Sequence, residues 1–163
     1  MAGGYGRGPR YRLHASTWQA VRNTGHAILS LVDLEADRSG IEAVAELQGR
    51  LLGATPQEIT AATETVSRAF EHPLLKQAAA ALRDGRCRRE TPVAMRLEDG
   101  TLVEGKVDLA FLDDASKGWI VVDFKTDFEI LGKLEEYRNQ VGIYAQAIER
   151  ATGLKTRGIL LRL

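Results

Sequence analysis

The chain has 163 residues, 44% of them hydrophobic, and its 22 basic side chains balance 22 acidic ones. That is enough apolar chain for one packed core, and the neutral balance counts against a protein that holds nucleic acid by charge alone. The single cysteine, Cys87, excludes a disulfide framework and any cluster needing four cysteines of this chain. No apolar run approaches the ~18–20 residues of a membrane span and the N-terminus lacks a signal-peptide core, which predicts a cytoplasmic protein with no membrane partner.

Residues 1–15 read as a flexible lead-in, Gly-rich and basic with interleaved tyrosines, suited to a linker or to an arm that touches phosphates. A single domain is expected over 16–163. Ser16 and Thr17 offer an N-cap for a helix carrying Trp18, Val21, Ile28, Leu29 and Val32, interrupted at Gly25. After an acidic turn over 33–40, three short helices are expected. The first, over 41–52, carries Val44, Leu47, Leu51 and Leu52 and stops at Gly53. Thr55-Pro56, a cap with proline at N1, opens the second, to Phe70. Pro73 opens the third, to Gly85, with His72 as its entry residue. All three apolar stripes are expected to be core. Arg83, Arg86, Arg88 and Arg89 form the densest basic run, either a solvated loop or a phosphate-contact patch beside a cleft. Glu90 then opens a strand, TPVAMRL, and Glu98-Asp99-Gly100 is a hairpin turn.

The stretch from Gly105 to Lys125 reads as two strands around a polar turn over 113–118. In the first, Val107, Leu109 and Phe111 alternate with Lys106, Asp108 and Ala110; the second, WIVVDFK, puts Asp123 and Lys125 on one face and Phe124 on the other. A symmetric hairpin pairs Leu112 with Trp119 and, four steps back, Asp108 with Asp123, at a Cβ separation of about 4.5–5.5 Å. Opposed carboxylates repel unless something positive lies between them. Lys125 offers one charge, and a divalent cation such as Mg²⁺, which takes carboxylate and water oxygens, offers more. Two acids and a lysine on one face predict metal-assisted phosphodiester chemistry. A loop is expected over 126–132, then a helix over 133–151 with Leu134, Tyr137, Val141, Tyr144 and Ile148 on its apolar stripe. Gln140 and Tyr144 are neighbours on that helix: Gln140 suits a water or phosphate oxygen, and Tyr144 suits either the site or the core. A last strand is expected over 158–163.

Gly105-x-x-Asp108 followed by Asp123-Phe124-Lys125 resembles the PD-(D/E)XK nuclease superfamily, and DFKTD with YRNQVGIYAQAI resembles the C-terminal nuclease domains of the RecB and AddA helicase–nucleases. Gln140 and Tyr144 match the Gln-x-x-x-Tyr of that group, and Gly25-His26 its upstream histidine. The resemblance implies a restriction-endonuclease-like α/β core, a mixed sheet flanked by helices behind an N-terminal helical region. It implies a Mg²⁺- or Mn²⁺-dependent deoxyribonuclease acting on DNA ends, with an exonuclease acting on single strands as the expected form. Asp108, Asp123, His26 and the carbonyl of Phe124 would hold the metal, with Lys125, Glu90, Gln140 and Tyr144 around the reacting phosphate. In the family a glycine at Gly25 lets the helix approach the sheet. An iron–sulfur cluster, present in some relatives, is excluded by the cysteine count. The domains it resembles normally sit at the end of a long helicase chain, so the resemblance implies a UvrD-like helicase in the same or another chain as a partner; the 163 residues carry no P-loop or helicase motif of their own. The alternative is a nuclease-fold module that only binds DNA or docks to such a helicase.

Overall fold

The structure is a computed structural model that describes residues 15–163. The expected lead-in thus lies outside the described residues except for Ala15, where the first helix already begins. Helix α1 spans Ala15–Leu31, so Ser16 and Thr17 lie inside the helix and not ahead of it. It also passes unbroken through Gly25. A Cβ built at Gly25 would meet nothing within 4 Å, so close approach to the sheet is not what this glycine provides.

Helices α2 (Arg38–Leu51), α3 (Pro56–Phe70) and α4 (Pro73–Arg83) follow. Their starts obey the capping chemistry of their sequences. Asp37 accepts from Gly40 N, which moves the start of α2 into the expected acidic turn. Thr55 and Glu58 form a reciprocal capping box, and His72 Nδ1 accepts from Leu74 N. The core face of α2 differs from the expected stripe. Ile41, Ala45 and Gly49 are buried, whereas Leu47, Leu51 and Leu52 are 57%, 71% and 51% exposed. Gly49 decides this: a Cβ there would lie 2.3 Å from Ile59 Cγ1, so α3 packs where α2 has no side chain.

Strands β1 (Cys87–Arg96), β2 (Leu102–Leu112), β3 (Trp119–Lys125) and β4 (Thr156–Arg162) form one sheet in the order β1-β2-β3-β4. The first three run antiparallel; β4 pairs parallel to β3 after the crossover through α5 (Asp127–Ile130) and α6 (Leu134–Thr152). The expected loop over 126–132 therefore contains a short helix. Strand β1 begins at Cys87, earlier than expected, and takes in Arg88, Arg89 and Glu90. Leu112 does pair with Trp119, and Gly100, at φ +87°, turns the β1–β2 hairpin.

Two apolar clusters cover the sheet, one on each face. On one, Leu109, Phe111, Ile120, Val122 and Phe124 meet α1–α4; on the other, Val107, Ala110 and Val121 meet Val141 and Tyr144 of α6. This is the three-layer arrangement expected of a restriction-endonuclease-like core. It also breaks the expected alternation. Val107 packs under α6 while Leu109 and Phe111 pack under the N-terminal helices. Cys87 and Val93 of β1 are split the same way. Both strands change face between these positions, at Glu90 and Asp108.

The two buried glycine environments give opposite expectations. Gly25→Ala should raise stability by about 0.4–1 kcal/mol, since the helix loses a flexible residue and the methyl has room. Gly49→Ala should lower it by about 1–3 kcal/mol through overlap with Ile59. Chemical denaturation midpoints of the two variants check both.

Candidate active site

The site is built on the place where the strands change face. The β1–β2 pairing runs from Cys87↔Phe111 to Arg89↔Leu109 and resumes at Thr91↔Val107, passing over Glu90 and Asp108. The β2–β3 pairing stops at Leu109↔Val122, one step short of Asp108 and Asp123. Where the next backbone bond would fall, Asp108 Oδ2 accepts from Phe124 N at 2.8 Å. Glu90 has φ +49°, a left-handed conformation that costs a non-glycine residue about 1–3 kcal/mol. Glu90, Asp108 and Asp123 thus stand on successive strands at one level of the sheet, and backbone pairing fails there.

The break brings Asp108, Asp123 and Lys125 within electrostatic reach of one another. Asp123, two residues beyond Val121, shares its α6 side, where Lys125 Nζ sits 2.6 Å from Asp123 Oδ2 and 4.9 Å from the centre of the Tyr137 ring. The Asp108 carboxylate fills the gap between strands. On its other side it borders a cavity of about 250 Å³ lined by His26, Ala27 and Ser30 of α1 with Glu90 and Lys106.

Burial pushes the Asp108 carboxyl above its ordinary range and nearby Asp123 adds to this, against the opposing pull of the Phe124 N–H, His26 and Lys125. For Lys125, burial pulls the ammonium down, but Asp123, Asp108 and Glu129 outweigh it and hold it above its usual value. Lys125 is a cation here, which suits charge neutralisation better than proton abstraction. It also donates to Phe124 O at 3.4 Å. Glu90 is paired with Lys106. Among the described residues, no three His, Cys, Asp or Glu side chains converge as a ready metal cage. Asp123 Oδ2 is buried against Lys125 Nζ at 2.6 Å, a contact that helps keep the lysine charged. Two neighbouring carboxylates, one buried and one half-buried, with a single lysine beside them fit a hard divalent cation that keeps several waters.

Gln140 Nε2 donates to the Tyr144 hydroxyl at 2.9 Å, and the Tyr144 ring lies across Gly105, where a Cβ would come within 2.3–2.5 Å of its Oη, Cε1 and Cζ. Gly105 is thus the residue that lets Tyr144 lie on β2, and Tyr144 is both buried core and the anchor of Gln140. The arginine run belongs to the fold. Arg83 pairs with Glu35, Arg86 with Asp84 and Asp114, and Arg88 donates to the carbonyls of Gly85 and Cys87. Arg89 donates to Leu29 O and, at 2.6 Å, to Val32 O, closing the C-terminal end of α1.

Sequence reasoning missed Glu129. It lies on α5, where Thr126 N and Oγ1 donate to its Oε2 at 2.7 and 2.9 Å. Arg22 lies 3.7 Å from Oε1 and His26 Nε2 lies 3.8 Å from Oε2. Burial would raise this carboxyl, but His26 and the Thr126 donors outweigh it and lower it to about 2. The available signal was the Thr-x-x-Glu spacing of Thr126 and Glu129, which opens a helix.

A family model of the PD-(D/E)XK nuclease superfamily matches residues 14–162. The chain belongs to this superfamily. Over 70 residues it is also 39% identical to one subunit of the ATP-dependent helicase/nuclease of Carboxydothermus hydrogenoformans, a match covering 40% of this chain and 6% of that protein's length. Membership and the partial similarity together support a nuclease-like function.

The Gly105–Tyr144 contact is testable by a double-mutant cycle. Gly105→Ala should cost about 1–3 kcal/mol in wild type and much less in a Tyr144→Ala background, where the ring is gone. Equal costs in denaturant titrations of both backgrounds would contradict the packing described.

Proposed function

We propose that this domain is a Mg²⁺- or Mn²⁺-dependent deoxyribonuclease that shortens DNA from its ends, the expected substrate being a single-stranded end. The observation that carries the reading is the pair Asp108 and Asp123 at the break between β2 and β3, two neighbouring acids with one lysine beside them. Asp108 and Asp123 would hold the cation, with His26 and the Phe124 carbonyl as further donors. A bound divalent cation would supply a nucleophilic water near neutral pH and offset the charge that builds on the scissile phosphate. Lys125, kept charged by its acidic neighbours, would neutralise the phosphate. Glu90, at the mouth of the cavity, would orient a water, and Gln140, fixed by Tyr144, would hold a phosphate oxygen. The partial similarity to a helicase/nuclease protein supports a role in DNA end processing and recombinational repair beside a UvrD-like helicase.

A second reading, a module that binds DNA or docks to a helicase without cutting, is favoured by one observation. The acids Glu90 and Asp123 are each held by a lysine of the chain. Calorimetric titration with Mg²⁺ and Mn²⁺, followed by incubation with end-labelled single-stranded DNA, separates the two. Wild type should bind metal and shorten the DNA, and Asp108→Ala, Asp123→Ala and Lys125→Ala should each lower cleavage at least ~100-fold, on the order of removing one electrostatic catalytic group. Binding without cleavage would favour docking; no metal binding would end the nuclease reading.

A further inference from the structure

Helix α1 and strand β3 are far apart in sequence, yet the histidine proposed as a metal donor comes from α1. Something must hold that helix at the end of β3. The side chain that spans the two is Glu129, four residues beyond Lys125. Its near side is fixed by both donors of Thr126, the residue that directly follows β3. Its far side meets α1 at two points one helical turn apart, Arg22 at Oε1 and His26 at Oε2. The carboxylate is largely shielded, with a side-chain exposure of 11%, so these contacts are not the solvent-screened kind that contribute little.

We propose that Glu129 is a positioning residue that orients His26 toward the break between β2 and β3, acting on the metal only through that imidazole. This rests on the metal-site reading above and deepens it. The chemistry is general: a histidine that binds a metal is commonly aimed by a carboxylate on its other side, and loss of that partner weakens metal affinity by about 10–100-fold. Arg22, 3.7 Å from Oε1, ties the same stretch of α1 to α5, so the contact resists rotation of the helix as well as of the ring.

The test is a double-mutant cycle read as Mn²⁺ affinity by calorimetry in the whole chain. Glu129→Gln keeps an oxygen for Thr126 but loses the charge that faces α1. It should weaken Mn²⁺ binding about 10-fold or more in the wild-type background and have little further effect in His26→Ala. Imidazole ¹⁵N shifts of His26 should change in Glu129→Gln without metal, which a merely structural cap would not cause. Circular dichroism checks that each variant remains folded. Wild-type affinity in Glu129→Gln, or an equal loss in both backgrounds, would overturn the inference while leaving the metal site intact. Failure of the wild-type chain itself to bind Mn²⁺ would instead overturn the metal-site reading and the inference with it.

Discussion

One hydrogen bond organises this molecule: the Phe124 amide donates to the side chain of Asp108 where a strand-to-strand backbone bond would otherwise form. A buried amide needs an acceptor, and once a carboxylate supplies it, the β2–β3 ladder ends at Leu109↔Val122. The consequences extend to β1. Its pairing with β2 skips the same level, Glu90 takes up a left-handed conformation, and both strands exchange the faces they show to the two helical layers. The break brings an acid from each of three adjacent strands to one level. It carries a cost in backbone strain at Glu90 and in the burial of Asp108 beside Asp123. Local rules fail in this way where structure yields to chemistry.

Around the break, the fold grips its elements with side chains whose first appearance suggests other roles. Arg89 lies in a run that reads as a phosphate patch, but its guanidinium serves the carbonyls at the end of α1. Tyr144 reads as a site residue and also fills the space left by Gly105, which fixes Gln140 through its hydroxyl. The densest basic run is likewise engaged within the chain, paired with Glu35, Asp84 and Asp114 or turned onto backbone carbonyls.

The exposed leucines of α2 show how far composition alone misleads. Leu47 and Leu51 have the spacing of a core stripe, yet the helix turns Ile41, Ala45 and Gly49 inward. The hydrophobic pattern was ambiguous between two faces, and the decision came from steric contact, because only the glycine-bearing face lets Ile59 of α3 approach.

The sequence by itself determined what depends on near neighbours. Proline and capping signals at Thr55, Glu58, His72 and Pro73 placed α3 and α4, and turn residues fixed the hairpin register down to Leu112 and Trp119. The order of Gly105, Asp108, Asp123, Lys125, Gln140 and Tyr144 was enough to suggest the superfamily to which the chain belongs. Tertiary structure alone decided what depends on distant partners. It fixed which face each strand residue takes beyond Asp108, because the reversal is set by a side chain competing for a backbone amide sixteen residues away. It set the fate of the arginines, which depends on where α1 ends relative to β1. And it gave Glu129 its place beside His26, since a carboxylate in a short helix has no recognisable role until the fold brings α1 within reach of it.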